Sequence, residues 1–362
     1  MNRTLKKVLC PLLMVVLLVW TAYMIFREQS PAQLLAALRG ANPLFLLAGF
    51  GLMLVFLGCE AACTHLILRT LGSPAPYRRC LGYSCTGFYF STVTPSSTGG
   101  QPMQIYAMTK DGIPGAHGTL DMLLVTICYQ VVTALYALAA LVFFPGLGAG
   151  LGAGLTALLL FGFGATSVLT AVMVLFLLRP SWCAGVAGGL LRLLVRLRLI
   201  KDPAPLQERL ERQIAQYAAG GQILRSRPLL LPKLLVLNGL QLGVLYLVPW
   251  IIYRSLGLTG HSAAEMVALQ ALMTVAVGLL PLPGSAGAAE TAFLQAFAAF
   301  YGGLVAPAVV LSRGISCYGM LLITGIVTLI LSLRRKKRGA LDGQRIQIRS
   351  PYLRAQRSAA RS

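Results

Sequence analysis

The sequence predicts an all-α polytopic membrane protein, with about six full spans plus two re-entrant broken-helix hairpins arranged as an inverted repeat. Three observations carry this. First, 57% of the 362 residues are hydrophobic and only 11% are charged, against about 25% charged in a soluble domain. Second, apolar runs long enough to cross a hydrocarbon core of about 30 Å recur along the chain. Two of these runs are interrupted by turns rich in Pro and Gly, TPSSTGGQP at Thr94 to Pro102 and PLPGSAGAAE at Pro281 to Glu290. Third, the basic residues lie between the runs, as in cytoplasmic membrane loops. The net charge of +21 therefore forms no single basic face, and nucleic acid is not an expected partner.

An apolar run over 8–26 follows Arg3, Lys6 and Lys7. No small-x-small cleavage site follows it, so it reads as an uncleaved first span. A second span covers 43–68. The segment 80–110 is apolar only as far as Thr94, about 22 Å of helix at 1.5 Å per residue, which is short of the hydrocarbon core. It then turns through Thr94 to Pro102 and ends at Lys110 and Asp111. Backbone broken by two prolines and two adjacent glycines cannot face lipid, so this turn lies outside the membrane or is buried in protein. Spans at 119–144 and 151–178 flank an uncharged turn, Pro145 to Gly150. The connector 179–231 holds a surface helix at 190–200, where Arg192, Arg196 and Arg198 alternate with leucines, and a charged amphipathic helix at 206–219. A span at 232–254, a second broken segment at 263–303, a last span at 304–333 and a basic tail at 334–362 complete the chain.

Placing the N-terminus, 69–79, Lys110, 179–233 and the tail on one side puts 27 of the 31 Lys and Arg residues there. That side is the cytoplasm by the positive-inside rule, which makes this a multi-pass cell-membrane protein with both termini cytoplasmic. The segment 80–110 then enters from the cytoplasm and returns, and 263–303 does the same from outside. Eight crossings, with every hairpin arm spanning, is the alternative count. Laying Pro95 on Pro283 also aligns Ser97 with Ser285 and Gly99 with Gly287, all at an offset of 188. The preceding spans start 189 residues apart and the following ones 185. Residues 1–178 thus hold the first repeat and the opening span of the second. Residues 179–231 are an insertion, and 232–333 complete the second repeat. Inverted repeats with broken helices are a common build of secondary transporters, whose sites lie at the repeat interface.

A helix starting near Gly100 to Pro102 aims free N–H groups into the membrane, since Pro102 suits a first turn. Ser285 or Gly287 caps the second half-helix, with Glu290 in its first turn. Such N-termini bind phosphate or carboxylate. The candidate headgroup site is Thr94, Pro95, Ser96, Ser97, Gly99, Gly100 and Gln101 in the first turn, helped by Thr98. Pro283, Gly284, Ser285, Gly287 and Glu290 in the second turn, with Glu60 and Arg313, complete it. Glu60, Glu290 and Arg313 are charges inside apolar spans, and Asp121 lies near a span end. Arg313 suits a phosphate held bidentately. Glu60 or Glu290 suits an ammonium headgroup or a proton, and a structural Glu290–Arg313 ion pair is the alternative. Gln130, Asn238, Gln241 and Gln270 read as interhelical hydrogen bonds. The eight cysteines form no CxxC pair and the three histidines are far apart, so neither a metal nor a disulfide framework is expected. With no P-loop or nucleophile–base constellation, no cofactor is expected.

The paired motifs TPSSTGGQP and PLPGSAGAAE, with a basic central loop, resemble the lysylphosphatidylglycerol synthase transmembrane-region family over about residues 8–333. This is the flippase-like membrane half of the multiple peptide resistance factor. The resemblance implies movement of a membrane phospholipid, anionic phosphatidylglycerol or its lysylated form, between leaflets. Full-length members also carry a soluble domain that transfers lysine from lysyl-tRNA to phosphatidylglycerol, and the family name of phosphatidylglycerol lysyltransferase comes from it. The 29 residues after Leu333 are expected to be too few for such a domain. An accessory role in an envelope lipid or glycolipid pathway is a further alternative.

Overall fold

The structure, a computed structural model, describes residues 38–94, 98–149, 152–179, 204–278 and 288–333, with isolated positions at 36 and within 182–189. The expected first span at 8–26, the surface helix at 190–200 and the tail lie outside the described residues. Among those described, every regular element is helical. In chain order the helices of eight or more residues are α1 (Pro43–Thr70), α2 (Tyr77–Val93), α3 (Gly100–Lys110), α4 (Gly115–Phe143), α5 (Gly152–Leu178), α6 (Ala204–Arg225), α7 (Leu230–Ser255), α8 (Ala263–Val277), α9 (Ala288–Ala296) and α10 (Ala298–Leu333). Five of them, α1, α4, α5, α7 and α10, are long and apolar enough to cross a membrane.

The two broken segments fold as half-helix hairpins. The 11-residue α3 reaches only about 16 Å at 1.5 Å per residue, too short for a crossing. Local chemistry fixes the first turn. The Thr94 hydroxyl donates to the Phe90 carbonyl at 2.6 Å and accepts from Gly99 N–H at 2.9 Å. α3 then folds back on α2 through two glycines. A Cβ on Gly100 would lie 1.9 Å from Ser91 Oγ and 2.7 Å from the Gly87 carbonyl, and one on Gly87 would meet the Gln104 side chain. Small residues let helix backbones approach this closely within a membrane. The second hairpin begins with a capping box at α8, where the Ser262 hydroxyl accepts from Glu265 N–H and the Glu265 carboxylate accepts from Ser262 N–H.

α1 and α7 form the central pair and run antiparallel. The Asn42 N–H at the start of α1 donates to the Ser255 carbonyl at the end of α7 at 2.8 Å. At the other end, Cys63 and Ile67 of α1 share a buried cluster with Leu230 and Leu234 of α7. The largest core cluster joins α1, α7, α8, α9 and α10 around Met53, Ile252, Leu272, Phe297 and Ile315. α5 joins this core through Leu155 and Leu159 and rests on α8, where a Cβ on Gly162 would come 2.1 Å from the Val275 carbonyl. α5 and α10 expose Leu160, Phe161, Leu322 and Ile326, the apolar surface a bilayer covers.

Some boundaries differ from the sequence reading. α4 starts at Gly115, directly after the extended Pro114, four residues ahead of the expected 119. Asp121, expected near a span end, therefore sits inside the helix and is 0% exposed. α6 extends past 206–219 at both ends, to Ala204–Arg225. α10 is irregular: Gly302 at φ +54 breaks it, and a π-helical turn follows Arg313 at Gly314–Gly319.

Candidate functional site

The interior holds two adjoining cavities, one against each hairpin. The first, about 610 Å³, is bounded by Glu60 of α1, Gly87 and Ser91 of α2, Thr98, and Gln101 and Gln104 of α3. α4 closes it with Thr126, Tyr129, Gln130 and Thr133. The second, about 350 Å³, lies between Gln270 and Thr274 of α8, Glu290 and Phe293 of α9, and Ser312, Arg313 and Ser316 of α10. Both share the wall made by Tyr129, Thr274 and Gly278, so the two spaces meet where α4 and α8 face each other.

Each cavity carries charge on a half-helix or its neighbour. In the first, Gln104 Nε2 donates to Glu60 Oε1 at 2.8 Å and Gln101 Nε2 donates to Thr126 Oγ1 at 2.7 Å. Both amides stand on one face of α3, three residues apart. In the second, Arg313 Nε lies 2.6 Å from Glu290 Oε1, with the glutamate side chain 2% and the arginine 19% exposed. The structural ion pair foreseen from the sequence is thus formed, and it ties the first turn of α9 to α10. The pair does not use up the arginine: its buried Nη2 has no hydrogen-bond partner although Arg313 lines the cavity. Gln104 Oε1 and Gln241 Oε1, both from residues lining the first cavity, are likewise buried without a partner. Buried polar atoms are nearly always satisfied in native proteins, so these unpaired groups around a cavity mark where water or a ligand sits.

The site expected from the sequence is placed in part. Gln101, Glu60, Glu290 and Arg313 line the cavities. Thr94, Gly99 and Gly100 are structural: they close and pack the turn rather than face the space. Pro95, Ser96, Ser97, Pro283, Gly284, Ser285 and Gly287 lie outside the described residues. Asn238 makes the expected interhelical contact, Nδ2 to Cys63 Sγ at 3.5 Å. Gln130 also bonds across helices, accepting from Thr170 at 2.9 Å. Gln130 and Gln241 also line the first cavity and Gln270 the second, so the faces that pack against neighbours open onto the cavities as well. Gln104, Tyr129 and Thr274 went unread. Gln104 carried one usable signal, its position four residues after the helix-starting Gly100. Among the described residues, no three of His, Cys, Asp and Glu come together to hold a metal.

Gln104→Leu removes the donor to Glu60 without enlarging the side chain. It is expected to lower stability by about 1–3 kcal/mol, the range for a buried polar group left unpaired, read as a shift in thermal unfolding. An unchanged unfolding curve contradicts this role.

The chain's residues 8–325 match the family model described as the lysylphosphatidylglycerol synthase TM region. No curated protein matches the sequence. The chain belongs to the lysylphosphatidylglycerol synthase TM-region family.

Proposed function

We propose that this protein is an integral membrane lipid translocase of the flippase-like kind, handling a phosphatidylglycerol-derived lipid such as lysyl-phosphatidylglycerol. The observation that carries the reading is the pair of adjoining polar cavities buried among apolar helices, each bounded by a broken hairpin. Ionisable and amide groups at membrane depth are expensive and commonly mark substrate paths. The volumes suit a headgroup, since ligand sites fall in the range of about 300–1,000 Å³. Arg313, with its unpaired Nη2, takes the phosphate, and Glu60 takes the ammonium of an aminoacylated headgroup. The acyl chains stay in the bilayer.

An inverted repeat supports this reading. The turn motifs ahead of α3 and α9 align at an offset of 188 residues. α1 and α7, the equivalent spans, pack antiparallel. With the basic face in the cytoplasm, the first cavity's hairpin enters from inside and the second's from outside, so a headgroup crossing the Tyr129–Thr274–Gly278 wall changes sides. Family membership also brings a second reading, lysyl transfer from lysyl-tRNA to phosphatidylglycerol.

Liposomes holding the purified protein and fluorescent phosphatidylglycerol or lysyl-phosphatidylglycerol test both. Translocation predicts that label in the inner leaflet becomes accessible to an external quencher, with no lysyl transfer from added lysyl-tRNA. Lysyl transfer without exchange overturns the translocase reading. The absence of both favours the accessory role.

A further inference from the structure

We propose that Glu60, Thr64, Asp121 and His117 form a proton path along the seam between α1 and α4, and that lipid movement is coupled to the proton it carries. The coupling rests on the translocase reading, whereas the path rests on the seam itself. Asp121 is outside both cavities, and no feature of the headgroup site uses it. It is 0% exposed, and neither of its carboxyl oxygens closes a well-aligned hydrogen bond. The Thr64 hydroxyl, also 0% exposed, lies against that carboxyl.

The spacing makes a ladder. Glu60 and Thr64 are one turn apart on α1, and His117 and Asp121 are one turn apart on α4, so each pair shares a helix face. The helices pack through Cys63 and Ile67 of α1 against Ala116, Leu120 and Leu124 of α4. At the upper end Glu60 opens into the first cavity. Asp121 lies about 9 Å along α4 from its start, at 1.5 Å per residue, towards the face that carries Arg78, Arg79 and Lys110. At the lower end the half-buried His117 places Nδ1 2.8 Å from Ser73 Oγ in the loop after α1.

The groups facing the two carboxyls are protonatable or apolar. Cys63 of α1 lies within reach of both carboxyls, Cys80 of α2 within reach of Asp121, and Cys85 of α2 and Tyr129 of α4 within reach of Glu60, whose charge also acts on Asp121. From α3, Gln104 donates to Glu60. The ion pairs Arg212–Glu208, His261–Glu265 and Arg313–Glu290 lie elsewhere, and among the described residues no cation closes an ion pair with Glu60 or Asp121. An uncompensated carboxylate is very costly in apolar surroundings, and ionisable side chains at membrane depth commonly belong to proton relays. A proton arriving at Glu60 from the cavity passes to the Thr64 hydroxyl, which gives its own to Asp121, and Asp121 gives one to His117. Each acceptor gains one proton as its donor loses one.

Two readouts test this on the full chain. Infrared difference spectra across a pH titration report the C=O stretch of protonated carboxyls. The path predicts a titrating band in the wild type, part of which Asp121→Asn removes. A wild type with no such band, or a band untouched by Asp121→Asn, overturns the path whether or not lipid moves. In liposomes, exchange of labelled phosphatidylglycerol is then followed with and without a pH gradient. The gradient is expected to accelerate the wild type. Asp121→Asn and His117→Gln, whose folds thermal unfolding checks, are expected to keep gradient-free exchange and lose the acceleration. Wild-type exchange indifferent to the gradient overturns the coupling and leaves the translocase reading standing. No exchange under any condition overturns that reading and the coupling with it.

Discussion

Arg313→Ala is expected to abolish lipid exchange and to lower stability by about 3–5 kcal/mol, the range for breaking a buried ion pair. The reason is the environment of its partner. Glu290, 2% exposed, loses the guanidinium 2.6 Å away and keeps a charge without its counter-ion. It also frees the first turn of α9 from α10. The double variant Glu290→Gln/Arg313→Gln separates the two roles. It leaves no isolated charge, so it is expected to recover most of the stability in thermal unfolding. It still lacks a cation for the phosphate and is expected to remain without exchange. Normal exchange in the double variant means that the pair only fastens α9 to α10.

Gly100→Val is the second large effect. A Cβ at this position meets Ser91 Oγ at 1.9 Å and the Gly87 carbonyl at 2.7 Å, and the second contact is backbone that cannot rotate away. Overpacking of a tight contact typically costs about 1–3 kcal/mol, and a branched side chain here is expected to exceed that by pushing α3 off α2. Gln101 and Gln104 move with α3, so the first cavity loses its amide wall and exchange falls with stability. Gly239→Ala is the control. No atom lies within 4 Å of its added Cβ, and Ala in a helix interior is better than Gly by about 0.5–1 kcal/mol. Unfolding midpoints for the two variants are expected to move in opposite directions, and a Gly100→Val protein as stable as the wild type contradicts the close crossing.

The broken helices were legible because Pro and Gly leave marks that no membrane span tolerates. Glu290 and Arg313 were legible for a similar reason: charges inside apolar runs are rare enough to stand out, and here they meet. Gln104 did not stand out. An amide on a short polar helix is ordinary until α3 doubles back across Gly87 and brings it 2.8 Å from Glu60. Tyr129 and Thr274 look like common span residues, and only the meeting of α4 with α8 gives them a shared wall. Gln241 and Gln270 show that periodicity finds a helix face without saying whether that face meets a neighbour or a cavity. Asp121 was misplaced because hydropathy set the start of the span at Thr119, whereas Pro114 starts the helix at Gly115.

A translocase of the proposed kind holds a phospholipid headgroup in both cavities. Photocrosslinking in liposomes with phosphatidylglycerol carrying a photoreactive headgroup, followed by peptide mapping, tests it most directly. Labelling is expected around Glu60 and Gln104 in one cavity and around Glu290 and Arg313 in the other. Excess unlabelled lipid is expected to suppress both sets, and Gly100→Val to remove the first. Label confined to the bilayer-facing surface of α5 and α10, at residues such as Phe161 and Ile326, contradicts it.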